Sequence, residues 1–288
     1  MSYYKTLGLH KEPFSTSPDP EFFFFSAEHD RAFTNAVIEL HLKRGLSVIL
    51  GNIGTGKTTL SRKLIQSLKT KDEFVLSIIL DPYFKSERLF LMALLMNFDE
   101  KMEKYSGGEP LKNLNELELK QVLQKYLYAK CVNERKTVVV IIDEAQKLSR
   151  QSLEMLRVML NYETNDSKLL QLVLLGQLEL HSKIITMPNL LDRISFKTRL
   201  HPLSLTETGD MIEFRMRKAG YSGTPFFRHD AIEAIHRLSD GYPRKITSLC
   251  HRALKLAVMN GQPYVDQYVV NEIIEEDVRS GWLTTIQH

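Results

Sequence analysis

The 288-residue chain has little cysteine, one tryptophan and little net charge. Its two cysteines, Cys131 and Cys250, lie far apart in stretches that read as helices, without metal-ligand spacing. That excludes a disulfide framework and a zinc cluster, and reduced, buried thiols are expected. A formal net charge of +3 is too small to mark a nucleic-acid or anionic-membrane binder by itself. No apolar run approaches the length of a membrane span, and Phe22-Phe23-Phe24-Phe25 is far too short for one. That run is expected to pack against the core. The opening Met1-Ser2-Tyr3-Tyr4-Lys5 lacks a signal-peptide pattern. Internal repeats and low-complexity tracts are missing too. With 43% hydrophobic and 25% charged residues, there is enough apolar material for one large or two modest domains. The composition predicts a cytoplasmic globular protein.

The most informative local pattern is Gly51-Asn52-Ile53-Gly54-Thr55-Gly56-Lys57-Thr58-Thr59. The apolar run Leu46 to Leu50 leads into it as a strand, and Thr58 to Ile65 leads out as an amphipathic helix. Glycines let successive N–H groups curl inward toward phosphate oxygens, and the helix N-terminus adds unpaired donors and partial positive charge. In such a loop Lys57 reaches the β- and γ-phosphates and the Thr58 hydroxyl holds Mg²⁺. The pattern predicts binding of a nucleoside triphosphate.

A second site sets what happens to the nucleotide. The β-branched run Thr137 to Ile142 reads as a central parallel strand and ends in Asp143-Glu144. Asp143 can serve the Mg²⁺ shell, while Glu144 can polarise a water for attack on the γ-phosphate. If the strand stays extended, alternation points the two side chains apart. The alternative is a helix cap, because Glu144 and Gln146 lie just ahead of a new helix.

Strands and helices alternate through the first two thirds of the chain. Strands are expected at Phe74 to Leu80 and Leu170 to Leu175, with a short one at Thr198 to Leu200. Leu89 to Leu95 reads as a buried helix, and further helices are marked by Leu117, Leu119, Val122, Leu123 and Tyr126 and by Leu153, Leu156 and Leu160. That alternation predicts an α/β fold with a parallel sheet covered on both faces. Beyond about Leu205 the strands stop, and helices are expected near 207–219, 229–239, 243–259 and 266–278, with breaks at Gly220, Gly241 and Gly261. The expected division is an α/β nucleotide-binding domain over 1–204, opening with a segment 1–45, and a small all-helical lid over 205–288.

Together these residues resemble the P-loop AAA+ ATPases, and within them the ExeA type, the general secretion pathway protein A ATPases. The similarity is carried by Tyr4-Lys5-Thr6-Leu7-Gly8-Leu9, by Pro13 through Phe24, by Ser26 and His29, by Asp143-Glu144-Ala145-Gln146, by Leu174-Leu175-Gly176-Gln177 and by Gly241-Tyr242-Pro243-Arg244. It covers nearly the whole chain, and transposition-regulator ATPases share the core motifs. The resemblance implies ATP rather than GTP. It implies a sensor role for Gln177 at the end of the strand after Asp143, with a plain strand-end cap as the other reading. It implies an arginine finger acting in trans at Arg193, with an ion pair inside the chain as the other reading. Arg244 would be a nucleotide sensor at the start of a lid helix, or a solvated helix-start arginine.

Two departures from the family pattern stand out. Lys197 occupies the place where a second arginine often follows Arg193, and lysine lacks the bidentate fork. Asp81 stands where the second strand ends and asparagine is usual; it is expected to repel Glu144 or the phosphates, or to face solvent. ExeA proteins also continue into a membrane helix and a peptidoglycan-binding module. The sequence given ends at His288, and on that expectation a role in cell-wall remodelling loses its main physical support.

The leading functional expectation is a homo-oligomeric ATPase, joined through an Arg193 interface, that acts on a protein partner. The alternative is a DNA-associated ATPase that recruits or regulates a transposase or recombinase. A small-molecule kinase suits Glu144, Arg193 and Arg244 less well. Residues 204–288 hold ten Lys/Arg and eleven Asp/Glu, so the helical part is not a basic module. Arg215, Arg217 and Lys218 read as a solvated helix face or, alternatively, a phosphate-contacting stripe.

Overall fold

A computed structural model describes residues 3–15, 19–98, 102–165 and 167–281. Thr16, Ser17 and Pro18 of the N-terminal signature lie outside the described residues. The chain forms two compact units. One comprises Ala27–Ile53 and Lys57–Leu200; the other comprises Met1–Ser26, Gly54–Gly56 and His201–His288.

The first unit runs α1 (Ala27–His41), β1 (Leu46–Gly51), α2 (Lys57–Lys69), β2 (Phe74–Ile79), α3 (Glu87–Met96), α4 (Glu116–Tyr128), β3 (Thr137–Ile142), α5 (Arg150–Met159), β4 (Leu170–Gly176), α6 (Leu178–Ile185), α7 (Pro188–Leu191) and β5 (Ile194–Leu200). Its five strands form one sheet in the order β2-β3-β4-β1-β5, and every pairing is parallel. Every residue of β1, β3 and β4 is buried. That explains their unbroken apolar sequence, because helices cover both faces of a parallel sheet. The register pairs Leu50 with Gly176 and Ile142 with Leu174. The carboxyl ends of β1, β4 and β3 therefore lie side by side, the edge where ligands bind in open α/β sheets.

β5 is longer than the sequence pattern predicts, starting at Ile194 rather than Thr198. It is an edge strand with Ser195, Lys197 and Arg199 exposed, so it has no continuous apolar run to betray it. α4 is capped by a reciprocal Asn115–Glu118 box and runs on into a π-helical turn, Ala129–Asn133. Cys131 sits half-buried in that turn, and burial raises its thiol pKa. Cys250 is fully buried in the helical unit, and both thiols are free.

In the second unit α8 (Leu205–Lys218), α9 (His229–Ser239), α10 (Pro243–Met259) and α11 (Gln267–Arg279) pack together. The Ser204–Glu207 capping box starts α8. Gly241 follows α9 at φ 70°, and a Cβ there would lie 2.2 Å from the Leu203 carbonyl, so only glycine fits.

The N-terminal segment packs within this helical unit rather than with the sheet, which departs from the 1–204 and 205–288 division. Leu9, Phe14 and Phe22 share a core with Met211, Ile212, Phe226, Phe227 and Ile246. Each such fully buried apolar side chain contributes roughly 1.5–3 kcal/mol, enough to hold a segment whose described residues form only the short 3₁₀ helices Tyr3–Leu7 and Pro20–Phe22. Phe24 of the four-phenylalanine run lies against Phe214. Arg215 is neither a solvated residue nor a phosphate contact. It is 9% exposed, and its guanidinium donates to the Pro13 carbonyl (2.7 Å), the Ser15 carbonyl (3.2 Å) and the Thr247 hydroxyl (3.4 Å). Among the described residues, no helix is long and apolar enough to cross a membrane.

Candidate nucleotide site

Gly51 ends β1 and Lys57 begins α2, so the loop turns from strand to helix within five residues. Gly54 (φ 84°) and Gly56 (φ 94°) take the left-handed backbone that such a turn requires. Lys57 is buried, and its ammonium donates to the carbonyls of Gly51 (2.8 Å) and Asn52 (2.9 Å). Burial lowers its pKa, while the charges of Glu144, Asp143 and Glu179 oppose that shift.

Asp143 follows β3 and is also buried; its own N–H is fixed by the Ile79 carbonyl at the end of β2. Its carboxylate accepts the Glu144 N–H (2.9 Å) and a hydrogen bond from Thr58. Burial raises its pKa, and those two hydrogen bonds offset part of the rise. The Thr58–Asp143 bond joins two motifs 85 residues apart, although β4 separates their strands in the sheet.

Glu144 departs from the extended continuation of β3. Its backbone is left-handed (φ 52°, ψ 33°), so strand alternation stops at Asp143 and a turn sets the direction of its side chain. It stands at the start of the short 3₁₀ turn Ala145–Lys147, but its side chain makes no capping bond. Instead its carboxylate accepts from Gln146 Nε2 at 2.8 Å. Gln177 follows β4 at the N-terminus of α6. Its side chain does not cap that helix, and its backbone N–H donates to Gln146 Oε1 at 3.0 Å.

Gln146 thus lies between Glu144 and Gln177, two residues that the sequence pattern nominates, and bonds both. The only sequence signal for it is its place in the Asp143-Glu144-Ala145-Gln146 string. Lys183 of α6 fixes the same turn by donating to the carbonyls of Gln146 (2.6 Å) and Leu148 (2.8 Å). Close packing extends to Gly176, where a Cβ would lie 2.7 Å from Leu180 and 3.3 Å from the Gln146 nitrogen.

Of the remaining candidates, Arg244 touches the loop, its N–H donating to the Gly54 carbonyl at 3.3 Å. Asp81 is exposed and pairs with Lys147 at 3.2 Å, the solvent-facing alternative. Arg193 is half-buried on the turn after α7, with its N–H donating to the Leu190 carbonyl. Its charge reaches Glu163, whose pKa is lowered first by Lys168 and then by Arg193. Lys197 is exposed on β5. Arg244 is exposed on the first turn of α10, in the helical unit.

A strand–glycine loop–helix unit, with a buried lysine and a buried acid at the end of β3, defines a phosphate-loop nucleotide-binding protein of the α/β class. Residues 41–184 match the AAA domain family, and the chain belongs to it. It is similar to General secretion pathway protein A of Aeromonas hydrophila, with 37% identity over 262 residues. That alignment covers 90% of this chain and 45% of the relative, so the chain spans about half the relative's length. Among solved structures, Cdc6p of Pyrobaculum aerophilum superposes with a TM-score of 0.65 at 17% identity, covering 96% of this chain and 72% of that one. The ORC2 protein of Aeropyrum pernix does so with a TM-score of 0.60 at 16% identity, covering 94% and 73%. At those identities the two structures establish the shared fold. The expected AAA+ fold, with a parallel sheet flanked by helices and a helical C-terminal region, is therefore the fold of this chain.

Proposed function

We propose that this chain is an ATPase that binds ATP with Mg²⁺ and works as a homo-oligomer on a protein partner. The observation that carries the reading is the buried Lys57 ammonium, held by the Gly51 and Asn52 carbonyls, together with the buried Asp143 and with Glu144 one residue further on. A hydroxyl and a carboxylate whose burial disfavours its lone charge make a donor pair suited to a hard cation. Thr58 and Asp143 would hold Mg²⁺, which when bound neutralises phosphate charge. Lys57, now satisfied by two carbonyls of its own loop, exchanges them for phosphate oxygens. The N–H groups of residues 51–59 bind and orient the phosphates. Glu144 takes the proton of the attacking water, and Gln177 stands at the neighbouring strand end where it can orient that water.

Preference for adenine comes from the AAA family. Arg193 is the candidate finger: a half-buried guanidinium on a short turn, offered to the γ-phosphate of an adjacent subunit. Arg244 is proposed to report nucleotide state to the helical unit. Action on a protein partner is proposed by analogy with General secretion pathway protein A.

The test is steady-state ATP hydrolysis by the purified chain, alone and with duplex DNA, at two salt concentrations. Hydrolysis that rises with protein concentration and ignores DNA is expected. Strong stimulation by DNA that fades with salt would replace this reading with a DNA-associated ATPase, because phosphate contacts release counterions.

A further inference from the structure

Three features make Gln146 more than a spacer in the acidic motif. Glu144 sits in a backbone conformation that residues with a side chain rarely adopt, which aims its carboxylate away from the line of β3. That carboxylate accepts a hydrogen bond from Gln146 Nε2 (2.8 Å). The other end of the same amide, Oε1, accepts the Gln177 N–H (3.0 Å) at the end of β4. An amide can serve both contacts in one orientation alone. Flipped, it would set oxygen against carboxylate and N–H against N–H. The backbone of Gln146 is fixed by Lys183, which donates to the Gln146 and Leu148 carbonyls. Asp81, two residues beyond β2, offers no donor to Glu144, since it is an acid turned outward to Lys147.

We propose that Gln146 is a positioning residue that aims the Glu144 carboxylate and ties it to the end of β4 at Gln177. The inference rests on Glu144 being the base that activates water. A displacement of Gln177 on nucleotide binding would then move the carboxylate through one side chain, so the two ends of the site act together.

The experiment compares Gln146→Glu and Gln146→Met in the full chain, measuring ATP dissociation constant, KM and kcat. Gln146→Glu is isosteric and keeps the acceptor for the Gln177 N–H, but it removes the donor to Glu144. Gln146→Met removes both contacts. Gln146 is only partly buried, so both variants are expected to fold and to melt like the wild type. ATP affinity should stay within about twofold of wild type while kcat falls about tenfold or more, the scale of losing one charge-assisted hydrogen bond. Wild-type kcat in Gln146→Glu overturns the proposal. So does a loss of ATP affinity or melting temperature that matches the loss of kcat, since Gln146 would then be a structural brace. Glu144→Gln is run alongside. If it turns over at the wild-type rate, the reading of Glu144 fails first and the inference falls with it.

Discussion

Replacing Arg215 by methionine should detach the N-terminal segment from the helical unit without unfolding the sheet. Methionine keeps most of the apolar stem and removes the charged fork. The Pro13 and Ser15 carbonyls then lose their donors, at 2.7 and 3.2 Å in the native chain. A hydrogen bond from a charged donor is worth about 1.5–3 kcal/mol net. Two such bonds are offset in part by relief of the desolvation that the buried guanidinium bears, which also lowers its pKa. A net loss of about 3 kcal/mol corresponds to roughly a hundredfold change in the local opening equilibrium. Amide hydrogen exchange reads it directly. The His10 N–H is held by the Ala219 carbonyl at 2.8 Å, so its exchange should quicken by about that factor in Arg215→Met. The Leu172 N–H, bonded to the Gly45 carbonyl inside the α/β unit, should be unchanged. Equal exchange at His10 in both proteins would refute the reasoning, because Arg215 would then not hold the segment.

The remaining predictions concern the nucleotide site. Lys57→Ala should abolish ATP binding in equilibrium titration, because it removes the ammonium that faces the phosphates. Arg193→Ala should bind ATP normally and lose most hydrolysis. Mixing the two variants should restore part of the activity if Arg193 acts on a neighbouring subunit, and a mixture as inactive as its parts would count against action in trans.

The parts legible in the sequence are those that short-range pattern determines. The phosphate loop is written in nine consecutive residues with its strand and helix on either side. β3 and β4 are uninterrupted apolar runs because both of their faces are buried. β5 hides its first four residues because an edge strand alternates polar and apolar side chains. The site geometry around Glu144 was less legible. Strand alternation argues for one direction of its side chain, and a left-handed turn supplies another. Gln146 bonds residues two before and thirty-one after it, and only the second contact depends on the tertiary fold. The seat of the N-terminal segment was not legible at all. Its anchor, Arg215, stands some two hundred residues downstream of Pro13 and, in sequence, looks like part of an exposed basic run.

The central claim is that the joined motifs make a hydrolytic site with Glu144 as its base. The most direct measurement is a single-turnover experiment with Mg²⁺-ATP on wild type and Glu144→Gln, following bound nucleotide and phosphate release together. The variant should hold ATP at near wild-type affinity and release phosphate at least about a hundredfold more slowly, as expected when a general base is removed. Phosphate release at the wild-type rate would contradict the account and move the search for the base to another residue.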